Sequence, residues 1–145
     1  MKKTKLTSTI LVSVQFVLIF VIGTYSSIFG NIISNSLMIF GFALGLWAIT
    51  TMKFKVNIFP DVRNKQKLFL YGPYKYIRHP MYLAVLITTF AWVLNRFNLV
   101  SISLWLILFS DLLVKIKYED KKLKSHFSEY ADYKKKVKAL IPFIW

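Results

Sequence analysis

Apolar side chains run from Leu6 to Met52 with no charged residue among them. A bilayer core about 30 Å thick is crossed by roughly 20 helical residues, so this tract is long enough to cross twice. The pattern predicts a first span over 6–28, a short uncharged turn at Asn31–Asn35, and a second span over 32–52. Lys2, Lys3 and Lys5 precede the first span. A signal peptide opens the same way, but its apolar region is shorter and ends at a small-residue cleavage site. The long run here, with no such site after it, predicts a retained span.

Beyond Met52 the pattern changes. The segment 53–79 carries Lys53, Lys55, Arg63, Lys65, Lys67, Lys75 and Arg78 against Asp61 alone. Phe54, Val56, Ile58 and Phe59, then Leu68, Phe69 and Leu70, make it too apolar for a flexible linker and suit it to the interface. Gly72-Pro73 predicts a turn. A third span follows over 80–94, and Asn95-Arg96-Phe97-Asn98 turns the chain. The fourth span, 99–115, is expected to continue as a charged helix to about Lys124. Both later spans read as short, which implies a thin bundle or helices reaching into the headgroups.

The fold class is therefore all-α, a polytopic membrane helical bundle of about four transmembrane helices in one domain over 1–145. Apolar residues make up 56% of the chain, above the roughly 45–50% usual in soluble domains. The net charge of +14 would suit nucleic acid, but basic residues gather in cytoplasmic loops of membrane proteins. That rule puts both termini, the loop 53–79 and the tail 116–145 in the cytoplasm, with Arg96 the one basic residue outside. The reading has no nucleic-acid partner and places the protein in membrane lipid. There is no cysteine, and His79 and His126 are the only histidines, so no metal site is expected. His126 is given no role.

The topology brings two polar segments to one membrane face. In the first, Gly72-Pro-Tyr-Lys-Tyr-Ile-Arg-His-Pro-Met-Tyr82, Pro80 suits the first turn of a helix. The residue before a proline favours extended geometry, which sets His79 at the helix mouth. A helix N-terminus attracts anions, and Arg78 and His79 add to it. Lys75 and Arg78 with Tyr74, Tyr76 and Tyr82 also suit a plain headgroup anchor. In the second segment, Glu119-Asp120 stand out on a basic surface, and Tyr130 and Tyr133 share a helix face. Asp111, Lys115 and Glu119 also share a face, and Asp111 is expected to reach Lys115 or the interface. Lys134, Lys135, Lys136 and Lys138 suit anionic lipid, at about 1 kcal/mol each. Gly41 and Gly45 form a small-xxx-small pattern, read first as helix packing and second as room for a ligand.

The run Gly72–Tyr82, then Glu119-Asp120, Leu123, Phe127, Tyr130 and Tyr133, and a late Pro142, resembles the isoprenylcysteine carboxyl methyltransferase family. The wider group includes phospholipid N-methyltransferases and small prokaryotic membrane methyltransferases. The resemblance covers roughly residues 41–145. It implies S-adenosylmethionine bound at the cytoplasmic face, and a lipophilic or prenylated acceptor entering from the bilayer of a prokaryotic plasma membrane. Carried over, it makes Tyr74, Tyr76, Arg78, His79, Pro80, Met81, Tyr82, Glu119, Asp120, Tyr130 and Tyr133 cofactor-binding, with Arg78, His79 and Glu119 catalytic. Gly41 and Gly45 match small residues of an earlier helix. Asp120, Ala84 and Ser128 depart from the family's usual Glu, Gly and Gly. Two other readings are an NADPH-dependent sterol-type membrane reductase, whose C-terminal end is similar, and a non-catalytic membrane scaffold or lipid-binding subunit. Neither the acceptor nor a general base is identified by the residues.

Overall fold

The computed structural model describes residues 2–54 and 68–141. The basic and apolar residues read within 55–67, the late Pro142, and the lysine side chains at the N-terminus lie outside the described part.

Among the described residues four long helices and one short one carry the fold: α1 (Lys2–Tyr25), α2 (Ile32–Thr51), α3 (Pro80–Asn95), α4 (Leu99–His126) and α5 (Tyr130–Lys136). Asn31 caps α2 by accepting from the Ser34 N–H at 3.0 Å, and Asn98 caps α4 by accepting from the Ser101 N–H at 3.0 Å. These caps satisfy donors that a helix start leaves open. The turns thus end one span and begin the next within a few residues.

Among the described residues three helices, α1, α2 and α4, are long and apolar enough to cross a membrane. The fourth span is expected over 99–115 with a charged helix continuing to about Lys124, and α4 runs unbroken for 28 residues to His126. Its charged end continues the same ladder of hydrogen bonds. Of the four longer helices α3 is the shortest, at 16 residues, about 24 Å at roughly 1.5 Å per residue. It does not need more, because it lies inside the bundle, packed along α2 and touching α1 and α4.

The contact between α2 and α3 explains both glycines. A Cβ on Gly41 would come within 2.4 Å of the Thr88 Oγ1 and 3.1 Å of the Ala84 carbonyl oxygen. One on Gly45 would meet the Ala84 Cβ at 3.4 Å. The backbones therefore approach closely where α2 has no side chain. Helix packing is what these glycines do. The Ala84 side chain, where the resembled family usually has Gly, faces Gly45 across this contact.

The core runs between α1, α3 and α4, where Ile22, Leu86, Val93, Leu108, Leu112 and Ile116 are buried together. Outward-facing Phe16, Phe20, Ile33, Phe40 and Ile107 are more than half exposed, as lipid-facing positions should be. At one end Arg96 donates to the Tyr25 carbonyl at 2.9 Å and sits 4.4 Å from its ring centroid. Asn95 reaches the Ser27 carbonyl at 2.8 Å. The opposite end gathers the end of α2, the start of α3, the charged half of α4, and α5.

Candidate active site

That second end is assembled from the turn upward. Gly72 adopts φ +60°, a left-handed conformation open to glycine at little cost. Its missing side chain also spares the Thr51 hydroxyl, which a Cβ would meet at 2.5 Å. A 3-10 turn over Gly72–Lys75 then aims Tyr74 inward, where its hydroxyl lies 3.0 Å from the Met52 sulfur. His79 takes the N-cap of α3 with Pro80 inside the first turn, as the His-Pro order predicts.

The segment before α3 is held by the C-terminal tail. Ile77 bridges Lys138 in parallel. The N–H groups of Arg78 and His79 donate to the carbonyls of Lys138 and Ala139, at 2.8 and 3.0 Å. Ala139 and Leu140 are buried behind this pairing. The tail therefore fixes the backbone of the Arg-His pair before any side chain acts.

The side chains then converge on Asp120. Arg78 Nη1 lies 2.7 Å from both of its carboxylate oxygens. His79 Nε2 is 3.1 Å from Oδ1, Lys134 Nζ donates to Oδ2 at 2.8 Å, and the Tyr130 hydroxyl donates to Oδ1. Asp120 is buried, which four donors make affordable. Glu119 is handled differently. The Tyr82 hydroxyl donates to its Oε2 at 2.9 Å, His79 Nδ1 stands 3.6 Å from the same oxygen, and its side chain stays 25% exposed. The His79 ring is thus held between the two acids and stacks on Tyr82 at 5.4 Å.

Electrostatics follow the geometry. Burial alone would favour neutral His79, but its contacts with Asp120 and Glu119 outweigh that and hold its pKa above the ordinary value. Arg78 is treated the same way, burial being overcome by Asp120 and Tyr130. Burial and the nearby carboxylates push the Tyr74 and Tyr130 phenols well up, so both remain neutral donors. The Tyr133 phenol, raised chiefly by burial, donates to the Tyr74 carbonyl at 2.5 Å.

These groups border one cavity of about 270 Å³, near the lower edge of small-molecule sites, roughly 300–1,000 Å³. Of the residues singled out in the sequence, Tyr74, Arg78, His79, Pro80, Met81, Tyr82, Glu119, Tyr130 and Tyr133 line it. Asp120 stands behind that wall and holds Arg78, His79 and Tyr130. Tyr76 is 54% exposed and off the lining. Arg78 Nε is buried without a partner, although Nη1 of the same side chain is fully engaged.

The cavity also extends deeper than the sequence reading. Gln15, Phe16 and Ile19 of α1, Met52 of α2, Val85 of α3 and Lys115 of α4 line it. The one sequence signal for this end was a lone carboxamide within an uncharged span. Asp111, expected to reach Lys115 or the interface, acts on Lys115 electrostatically but makes no ion pair with it within 4.0 Å among the described residues. Lys115 Nζ instead donates to Gln15 Oε1 across to α1, and Asp111 Oδ2 is left buried without a partner.

Residues 29–130 match the family model of phospholipid methyltransferases. The matched stretch takes in α2, α3 and α4 with the Arg-His-Pro turn and the acidic pair, and it begins after α1 ends. No curated protein and no solved structure matches the chain.

Proposed function

This chain belongs to the phospholipid methyltransferase family, and on that premise we propose that it is an S-adenosylmethionine-dependent methyltransferase. Its cofactor site is the cavity between Arg78-His79 and Glu119, at the cytoplasmic face of the membrane. Its acceptor is a lipophilic molecule that enters from the bilayer. The observation that carries this reading is the lining of one cavity, where Arg78, His79 and Glu119 meet Tyr74, Tyr82, Tyr130 and Tyr133. A guanidinium, a carboxylate and aromatic faces together suit a molecule that carries a carboxylate, an ammonium and a sulfonium.

The rest of the lining fits the same molecule. Arg78 would hold the carboxylate of its methionine part. Glu119, whose carboxylate is partly exposed to the cavity, would hold the ammonium or the ribose hydroxyls. The ring faces of Tyr74, Tyr82, Tyr130 and Tyr133 suit a sulfonium through cation–π attraction. When bound, the cofactor supplies an electrophilic methyl group for in-line displacement. The protein's part is to orient and to exclude water. His79 spans the two acids and fixes the angle of Glu119. Tyr133, tied to the Tyr74 carbonyl, closes the cavity on the side of the tail. Asp120, where the resembled family usually has Glu, acts as the anchor of Arg78 and leaves cofactor contact to Glu119.

Orientation rests on charge. Lys134, Lys135, Lys136 and Lys138 lie at the cavity end of the bundle, whereas Arg96 lies at the other. The positive-inside rule then favours a cytoplasmic cavity.

The reading is tested with purified protein, methyl-labelled S-adenosylmethionine and a total lipid extract. Label is expected in the lipid fraction with wild type and to be lost with Glu119→Gln. Unlabelled lipid, together with saturable NADPH binding, would favour the reductase reading instead.

A further inference from the structure

We propose that Lys115 and Gln15 form a subsite for an anionic group on the methyl acceptor, so that α1 takes part in choosing the acceptor. The proposal deepens the methyltransferase reading and rests on it. It starts from a charge in an unusual place. Lys115 is 1% exposed on an apolar stretch of α4, and Gln15 is 8% exposed in mid-α1. Charged side chains in spanning helices are costly and mark function by default.

Such a cation would normally meet a carboxylate. Among the described residues Lys115 meets none within 4.0 Å, although Asp111 and Glu119, one turn away on either side, act on it electrostatically. Its ammonium donates to the neutral Gln15 oxygen and lies 5.1 Å from the Tyr82 ring centroid. An ammonium has three donors and a carboxamide has two more on its nitrogen. The pair therefore keeps spare donors, and both residues line the cavity. Phe16, Ile19 and Val85 surround them with apolar surface, where a charge pair is stronger than in water. The ammonium brings the charge and the donors that an anion would need at this end.

The position of the pair relative to the cofactor end supports the acceptor as the source of that anion. Arg78 and Glu119 lie on the interfacial side, within the stretch that matches the family. Gln15, Phe16 and Ile19 come from α1, outside that stretch. Phe16 and Phe20 of the same helix also face outward, 53% and 71% exposed, a lipid-facing surface beside the cavity. A molecule with a hydrocarbon tail in the bilayer could bring an anionic head to Lys115. Phosphate and carboxylate share this chemistry.

The test measures binding in a neutral maltoside detergent with three single-chain probes: dodecyl phosphate, dodecanoate and dodecanol. Wild type is expected to bind at least one anion about ten-fold or more tightly than dodecanol. Preference for the phosphate would point to a phospholipid head, and preference for dodecanoate to a terminal carboxylate. Lys115→Met should abolish the preference, Lys115→Arg should keep it, and Gln15→Leu should weaken it. A purely structural role for the pair would lower the melting temperature of these variants without changing relative probe affinity. If Lys115→Met does not fold, the Gln15→Leu and Lys115→Arg pair decides the matter. No anion preference in wild type, or a preference unchanged in the variants, overturns the proposal. S-adenosylmethionine binding on the same samples reports separately on the methyltransferase reading.

Discussion

Arg78 Nη1 lies 2.7 Å from both carboxylate oxygens of Asp120, and both side chains are 7% exposed. The pair joins the turn before α3 to α4, and Arg78 also lines the cavity. Adjacent acids in one sequence motif are thus placed differently: Asp120 holds Arg78, His79, Tyr130 and Lys134, and Glu119 lines the cavity.

That division predicts opposite phenotypes. Asp120→Ala strands a buried arginine and histidine, and breaking a buried pair costs about 3–5 kcal/mol. Its melting temperature in detergent should fall sharply. Glu119→Gln keeps the shape and most contacts, so it should melt near wild type while binding S-adenosylmethionine about ten-fold or more weakly.

The two glycines of α2 should respond unequally. Gly41→Ala drives a methyl into the Thr88 hydroxyl and the Ala84 carbonyl, and overpacking of this kind costs about 1–3 kcal/mol. Gly45→Ala meets only the Ala84 Cβ at an ordinary contact distance and should be nearly neutral. Thermal melts of the two variants check this.

His79 gives the stability a pH dependence of known sign. Its folded pKa is raised above an unfolded value of about 6.5. Its contribution is therefore complete below about pH 6.5 and is lost as pH rises through the folded value. Wild-type melting temperature should decline over that interval, and His79→Gln should show a flatter profile.

Ending the chain after Lys136 removes the carbonyls that accept from Arg78 and His79. The spanning helices do not depend on them. Helical content by circular dichroism should stay close to wild type, and cofactor binding should be lost.

Much of this was legible in the residues. Spans follow from hydropathy because lipid demands internally bonded apolar helices, and the Arg-His-Pro turn follows from proline's own geometry. The acidic pair was visible, but its division of labour was not. Which of two adjacent carboxylates faces a cavity depends on the rotation of α4, set by packing against α1 and α3. The pairing of Ile77 with Lys138 was hidden too, since one bridge leaves no periodicity. Gln15 and Lys115 come from opposite ends of the chain, and helical spacing pointed Lys115 to Asp111 instead. Tyr76 looked equivalent to Tyr74, yet the 3-10 turn sends one inward and the other out.

The central claim is that the cavity beside Arg78 and Glu119 holds S-adenosylmethionine. Its most direct measurement is equilibrium binding of that molecule to purified protein in detergent, with NADPH titrated in parallel. The account predicts saturable binding of S-adenosylmethionine alone, weakened about ten-fold or more by Arg78→Lys and by Glu119→Gln. Saturable NADPH binding without S-adenosylmethionine binding, or an affinity indifferent to both substitutions, would contradict it.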